Sequence, residues 1–391
     1  MKSWKGGKFE YFLYILVSLF ILLSSFSIYY LYNKKVIIAF GICTILFSFF
    51  YVFYKVKLEK KKIIFPFSAI VILASVCLLV LCWKGISAYG IYVTIVFLLL
   101  VLLIHLVNTL GDLHLLVNAF VLTVVCGACI SLLFWFFGSI VHLINPSGTI
   151  DLFWGTEQTV NNYYGLYFEP QYSDTFIGRF HLTCRNSFIY PEAPVCCFML
   201  ISANLLNNLF IKNKTSNLIL LIAILSTLTV TGFLYVMALV LSSSINSKTK
   251  SHLKVFAQII SFILILFCVL FFASSLLSAK MESGSGVDRA AHMMSELNAF
   301  RKSPIYGFGF NTFTDGSSNS ITALLADGGI LLFMLYYCPL FFSIFKMKNK
   351  DDKIICLAFI FVFMITVVHY LPVSVFLICC LCMHSNCKQV F

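Results

Sequence analysis

The sequence predicts an all-α, polytopic integral membrane protein, and three observations carry that expectation. The chain of 391 residues is 61% hydrophobic and only 11% charged, where a soluble domain is about 25% charged. Apolar stretches of about 18 residues or more recur from end to end, each long enough to cross a hydrocarbon core of about 30 Å as a helix. Lysines crowd into the short polar breaks between them, the distribution that orients a membrane protein with its positive loops inside. The net charge of +12 is therefore a matter of topology and of membrane lipid head groups, and no nucleic-acid partner is expected.

The elements follow in order. Lys2, Lys5 and Lys8 precede an apolar run from Phe9, as in a signal peptide. The run exceeds an ordinary h-region and no small-residue cleavage site follows, so it is read as an uncleaved first span, 9–32. Spans 36–54, 63–83, 87–107 and 115–138 come next, then 191–211, the segment 217–245, and spans 255–277, 320–345, 354–368 and 371–386. Lys55, Lys57, Lys60, Lys61 and Lys62 mark one cytoplasmic loop. Lys212 and Lys214, then Lys248, Lys250 and Lys254, then Lys346, Lys348, Lys350 and Lys353 mark three more.

Segment 217–245 decides the topology after it. One tilted crossing divides the lysines about evenly, whereas two short arms leave 18 of the 23 inside. The charge rule therefore predicts a hairpin turning at Thr231-Gly232. Each arm of 13–14 residues is about 20 Å long, too short to cross. The polar tip Thr227-x-Thr229-x-Thr231 must then end where protein or water satisfies its backbone. The expected result is about twelve membrane segments in a single domain, 1–391, with both termini cytoplasmic. Two long extracytoplasmic loops are expected, at about 139–190 and 278–319.

Of fifteen cysteines, most lie inside apolar spans, where they act as small apolar residues. Cys184 is the one well inside a long polar loop. The cluster Cys379-Cys380-x-Cys382 lies in hydrocarbon, which disfavours a metal thiolate. No carboxylate cluster demands a metal, and no P-loop is present. No metal and no cofactor are expected.

The chain has four arginines, Arg179, Arg185, Arg289 and Arg301. All fall in the two outer loops, against the bias that orients the protein. A guanidinium grips phosphate bidentately and keeps its charge. Their placement predicts an anion-binding site at the outer membrane surface, with salt bridging or head-group contact as the plainer alternative.

The first loop runs through Trp154, Glu157, Tyr163, Tyr164, Tyr167, Phe168 and Glu169 to Arg179, His181, Arg185, Pro191 and Glu192. Rings beside hydroxyls and carboxylates suit a sugar, and an interfacial aromatic belt fits the tyrosines equally. In the second loop, apolar residues Ala290, Met293, Met294, Leu297 and Phe300 recur at helical spacing and predict a helix over 288–302. Arg289 and His292 share one face of it. Pro304 ends it, and Gly307 and Gly309 allow a close backbone approach. Asp288, His181 and the short-loop His369 are lesser candidates.

These residues resemble the bacterial O-antigen polymerase and ligase superfamily, most closely its Wzy-type polymerases, along the whole hydropathy profile. Arg185 before Pro191-Glu192 is similar to the family's arginine before an aromatic–proline element. Thr227-x-Thr229 resembles its Thr/Ser-rich turn. Gly286-x-x-Arg289 with Pro304 and Gly307-x-Gly309 resembles its arginine and "P-x-x-G-x-G" block. Ser318-Asn319 and Gly329 resemble its His-Asn element and following glycine. Val230 and Thr231 depart from the arginine often found after the turn, and Leu332 from a second glycine. Ser318 stands where ligases carry a functional histidine, which argues against a ligase.

The resemblance implies a bacterial inner-membrane glycosyltransferase of lipopolysaccharide and polysaccharide biosynthesis. Its donor would be a glycan on undecaprenyl diphosphate and its acceptor a lipid-linked repeat unit, with a chain-length regulator protein as partner. Arg185 and Arg289 would hold the departing diphosphate. Glu192 would act as base or orienter. Arg179, Arg301, His292, Glu169 and Asn319 would assist in substrate binding. An O-antigen ligase and a flippase of lipid-linked oligosaccharides are the alternatives.

Overall fold

The computed structural model describes residues 7–63, 73–75, 88–152, 158–169, 172–177, 180–245, 284–309, 319–366, 368 and 370–387. The protein is mostly helical. Among the described residues five helices are long and apolar enough to cross a membrane: Lys34–Leu58, Ile91–Leu110, Leu113–Ile140, Ala193–Ile211 and Ser320–Lys346. The expected spans 63–83 and 255–277 fall largely or wholly outside the described residues. Two compact units divide the chain. One comprises Met1–Val124, Ala291–Met347 and Val367–Phe391, and the other Val125–Ala290 and Lys348–Thr366.

In the first unit the expected span 9–32 is two helices, Lys8–Ser24 and Ile28–Tyr32. Ser25 and Ser27 mark the break, and their hydroxyls donate to the carbonyls of Ile21 and Leu23. Such back-bonding competes with the helix ladder. Lys34–Leu58 buries Ile37, Gly41, Thr44, Ile45, Ser48, Val52 and Val56 along one stripe. It turns Phe47, Phe50, Phe53 and Leu58 outward. A helix with an apolar exposed face is suited to lipid. Gly41 lets the Phe20 ring lie against the backbone; a Cβ there would sit 1.9 Å from it. Small residues at such crossings are how membrane helices approach closely.

Three segments that the lysine pattern assigns to one face meet in this unit. Lys55 Nζ lies 2.6 Å from Glu10 Oε1 and 3.6 Å from Asp112 Oδ2. Burial raises the Asp112 carboxyl above its usual range, with Lys55 opposing the shift.

The second unit contains Ala193–Leu206, Lys214–Ser226, Val230–Ile245 and Lys350–Ile365. Segment 217–245 is thus broken into two helices. Asn213 caps the first by accepting from Thr215 N and Ser216 N. At 13 residues it reaches about 20 Å, short of a crossing. The chain turns at 227–229, slightly earlier than expected, because Thr229 starts the next helix: its Oγ1 accepts from Gly232 N at 3.1 Å. Around Phe198 stack Phe359 and Phe363, with centroids 5.7 and 5.9 Å away. Fully buried Asn204 accepts from Tyr235 Oη at 3.1 Å and donates to Asn217 at 2.6 Å. Polar ties of this kind hold helices together where hydrophobicity supplies no drive.

The first long loop is not irregular. It carries an antiparallel sheet of β1 (Gly148–Leu152), β2 (Gln158–Tyr163) and β3 (Tyr167–Glu169), in that order. A hairpin of β4 (Tyr172–Ile177) and β5 (Phe180–Cys184) follows. Thr149, Asp151, Thr159 and Tyr163 alternate along β1 and β2, but the strands are too short for that period to stand out beside 18-residue apolar runs.

Candidate functional site

In the second unit the site is built on a helix face. Helix Leu113–Phe134 continues as a π-helical turn, Trp135–Ile140. Gly127, Ser131 and Trp135 lie four residues apart along it. Trp135 Nε1 donates to Cys184 O at 3.2 Å. Ser131 Oγ donates to Asn186 Oδ1. Gly127 receives the Phe188 ring, whose carbons would lie 2.8 Å from a Cβ there. Four helical residues advance about 6 Å and two extended residues about 6.6 Å, so the two periods match. The segment after β5 is thereby laid along the helix residue by residue, with Arg185 between two of its contacts.

Asn186 also fastens this segment to the hairpin tip. Its backbone N–H donates to Ser226 O at 3.1 Å and its Nδ2 to Ser226 Oγ at 2.8 Å. Beyond Ser226 the hydroxyls of Thr227, Thr229 and Thr231 converge on Thr229 Oγ1, at 3.1 and 3.3 Å, with Thr227 wholly buried. Thr231 Oγ1 also meets Cys197 Sγ at 3.9 Å. Arg185, half-buried, therefore stands one residue from the backbone that is locked to this polar turn. Two sequence elements about forty residues apart form one structure.

Around Cys184 lies a buried polar cluster. Glu169, 3% exposed, accepts from Asn161 Nδ2 at 3.1 Å and Tyr163 Oη at 3.2 Å. Tyr167 Oη lies 3.7 Å from Cys184 Sγ and accepts from Ser139 Oγ at 3.4 Å. Burial, reinforced by the Glu169 charge, pushes both the Cys184 thiol and the Tyr163 phenol up to about 12. A thiol held so high is protonated at neutral pH and is no nucleophile.

Glu192 occupies the N-cap position of helix Ala193–Leu206 in extended backbone, with a proline just inside. Its carboxylate does not cap the helix, and it is half-buried. Arg179 lies outside the described residues. Arg289 lies on helix Gly284–Lys302, where the described part ends at its backbone.

The first unit holds the rest of the second loop. Helix Gly284–Lys302 begins earlier than the expected 288. Its buried face also differs: Glu296 and Ala299 are at 1% and 5% exposure, while Met293 and Met294 face outward. The expected apolar stripe is therefore not the packed one. Its place is taken by Glu296, whose Oε2 accepts from Thr322 Oγ1. Thr322 N in turn donates to Asn319 Oδ1 at 2.9 Å, so Asn319 acts as the N-cap of helix Ser320–Lys346. His292 is half-buried and Arg301 exposed. Among the described residues Arg301 forms no ion pair.

Helix Ser320–Lys346 is interrupted at Gly329, at φ 63 and ψ −162, a region open essentially to glycine. The residues after Pro304 fill the interruption. Phe308 N and Gly309 N donate to Ala326 O and Asp327 O at 2.9 and 2.8 Å, closing the orphan carbonyls of the first half. Pro304 O accepts from Ile330 N at 2.8 Å, closing an orphan donor of the second. The approach leaves no room for side chains. A Cβ on Gly307 would lie 2.4 Å from Asp327 O, and one on Gly329 2.3 Å from Ile305 O. Asp327 Oδ2 accepts from Tyr370 Oη at 2.6 Å.

The structure thus joins Arg185 to the threonine turn, and Pro304–Gly309 to Asp327–Gly329. Asn186 and Glu296 were not legible as candidates, although Asn186 follows Arg185 directly and Glu296 follows His292 by one helical turn. No family model, no curated protein and no solved structure matches the chain.

Proposed function

We propose that the protein is a polysaccharide polymerase of bacterial membranes. It transfers a growing glycan from undecaprenyl diphosphate to a lipid-linked repeat unit on the extracytoplasmic face, within about twelve membrane segments. Arg185 and Arg289 hold the diphosphate as it leaves, with Arg179 and Arg301 assisting and Glu192 orienting the acceptor. Fixed cations aimed at developing charge are the strongest electrostatic device available to such a reaction.

The observation that carries this proposal is the fastening of Arg185. Asn186 ties its backbone to Ser226 and to Ser131, so the guanidinium stands on a frame made by a helix face and the hairpin. Preorganisation is what lets a charge act in a transition state without reorganising. A flippase is the one rival that an observation favours, since transporters use interrupted helices at their sites. Here the interruption at Gly329 is filled by the backbone of residues 303–309, and long loops carry the arginines.

The test is substitution of Arg185→Ala and Arg289→Ala separately, with the ladder of surface polysaccharide read on a gel. Each should reduce products longer than one repeat by roughly 10²-fold or more. Wild-type ladders from both would end the proposal, and single-repeat lipid failing to reach the outer face would indicate a flippase.

A further inference from the structure

Helix Gly284–Lys302 packs through Glu296 and Ala299 and turns its methionines outward. At about 100° per residue, Met293, Met294, Leu297 and Arg301 fall within roughly 100° of arc, away from the packed side. Met293 and Met294 are exposed, Leu297 is half-buried, and Arg301 and Lys302 are exposed. Just past the helix, Ile305 and Tyr306 are 51% and 63% exposed. Exposed apolar residues scattered singly are ordinary. Here they recur from 293 to 306 with two cations among them.

The backbone lock sets the depth of this strip. Ile330 N donates to Pro304 O at 2.8 Å and Leu331 N to Ile305 O at 3.5 Å. Residues 304 and 305 therefore sit at the head of the second half of helix Ser320–Lys346. From there Ile330, Met334, Cys338, Phe342 and Phe345 are all exposed, three or four residues apart along one side. On a helix long and apolar enough to cross a membrane, such a stripe suits lipid. Lys346, which the lysine pattern puts at the cytoplasmic end, lies sixteen residues past Ile330, at most about 24 Å along the helix. The hydrocarbon core is about 30 Å thick. In a membrane, Ile305 and Tyr306 would then stand at the outer edge of that core, with Arg301 and Lys302 within a side chain's reach of the head groups.

We propose that this strip docks the second-loop helix on acidic phospholipid at the membrane surface. Met293, Met294, Ile305 and Tyr306 enter the boundary between head groups and acyl chains, and Arg301 and Lys302 hold lipid phosphates. An apolar face edged by cations is the make-up of helices that lie in the interface. Arginine and lysine reach phosphate there with their stems laid over apolar surface. Tyr306 brings both ring and hydroxyl, as residues of the interfacial belt do. The docking lies wholly within the first unit and does not depend on the polymerase function. That function gives Arg301 a supporting place at a substrate diphosphate, whereas here its partner is the bilayer's own phosphate. The bilayer then holds the helix on one side, as the bond from Thr322 to Glu296 and the backbone lock hold it on the other.

The experiment uses the full chain in nanodiscs made of equal parts phosphatidylcholine and phosphatidylglycerol. Benzoylphenylalanine replaces Met294, Tyr306 or Ser295 in turn, and lipid adducts are read by mass spectrometry after illumination. Ser295 is exposed on the same helix but points about 100° or more away from both methionines. The probes at Met294 and Tyr306 should take lipid and favour phosphatidylglycerol, and the probe at Ser295 should take little. Combining Arg301→Gln with Lys302→Gln should cut that preference by roughly fivefold per charge, and about 0.5 M salt should weaken it in the wild type. All the substituted residues are exposed, and a size-exclusion profile matching the wild type checks that each variant is folded. Probes at Met294 and Tyr306 that take no lipid, or that join protein instead, overturn the docking. So does an equal yield of the two lipids, or a preference that the double variant keeps. Phosphatidylglycerol adducts that vanish on adding stoichiometric polyprenyl diphosphate would give Arg301 to the substrate and overturn it as well.

Discussion

Replacing Gly307 by alanine strikes the backbone lock at its tightest point. The residue sits at φ +66, which costs an L side chain about 1–2 kcal/mol. The new Cβ would also lie 2.4 Å from both the carbonyl carbon and oxygen of Asp327 and 2.5 Å from Gly328 N. These are backbone atoms at the end of a helix and cannot rotate away. Relief requires the chain to withdraw, opening the bonds from Phe308 N to Ala326 O and from Gly309 N to Asp327 O. A buried group left unbonded costs about 1–3 kcal/mol. Strain and the two lost bonds together give about 3–8 kcal/mol, a large share of the roughly 5–15 kcal/mol that holds a domain folded.

Two other glycines separate the causes. Gly111 has φ +85 but nothing within 4 Å of its would-be Cβ, so Gly111→Ala carries strain without a clash. Part of that strain is offset by about 0.4–1 kcal/mol of lost freedom in the unfolded chain. Gly148 meets nothing within 4 Å and has no positive φ, so Gly148→Ala should be neutral or slightly stabilising. Heating detergent-solubilised protein and reading the surviving monodisperse peak should rank Gly148→Ala at or above wild type, then Gly111→Ala, with Gly307→Ala lowest. If Gly307→Ala melts together with Gly111→Ala, the close approach contributes nothing and the lock is wrongly described.

Other predictions concern the second unit. Asn186→Ala removes the bonds to Ser131 and Ser226 and should lower stability by about 2–4 kcal/mol. It should also abolish long glycan although Arg185 is intact; a wild-type melting curve would refute the tie. Cys184, its thiol pushed up to about 12 by burial and then by Glu169, should resist maleimide at pH 8–9 in the folded protein, measured by peptide mass spectrometry. Because that pKa is raised above its ordinary value of about 8.5, its stabilising share is whole below pH 8.5. It is lost as pH climbs toward 12. Cys184→Ala should therefore shift the alkaline unfolding midpoint upward, and rapid labelling of folded protein at pH 8 would contradict the burial.

Much of the helical frame is legible in the sequence because one signal dominates it: length and apolarity of a run. The break in 217–245 was readable from lysine placement, and the end of the second-loop helix from Pro304. What escaped depends on pairing across distance. Strands β1 to β3 are three to six residues long, and their register comes from partners rather than from local period. The stripe Gly127, Ser131, Trp135 looks like any small-polar-aromatic mixture in an apolar run until the 184–188 segment is laid beside it. The spacing of Ala290, Met293, Met294, Leu297 and Phe300 marks the second-loop helix without fixing the face that packs. Methionines mark a core only when the neighbouring element is apolar, and here the neighbour offers Thr322 and Asn319. Gly307 and Gly309 are visible in the sequence as residues that allow a close approach, but only the structure names what approaches, the backbone of Ala326 and Asp327.

Charge placement then separates two kinds of work. The ion pairs found among the described residues use lysine, at Glu10, Asp112 and Glu59, and those of Lys55 with Glu10 and Asp112 join segments that the lysine pattern places at one membrane face. Arg301 is exposed and takes no part in them. Arg185 is set in place through its neighbours: Cys184 O is held by Trp135, and Asn186 by Ser131 and Ser226. The fastening of this segment therefore does not rest on a guanidinium–carboxylate pair at its anchoring points. On the proposed function, the residues around Arg185, rather than Arg185 alone, position it for an anion. That positioning predicts that Arg185→Lys, which keeps the charge but loses the planar fork, will fail in transfer while leaving the melting of the unit unchanged.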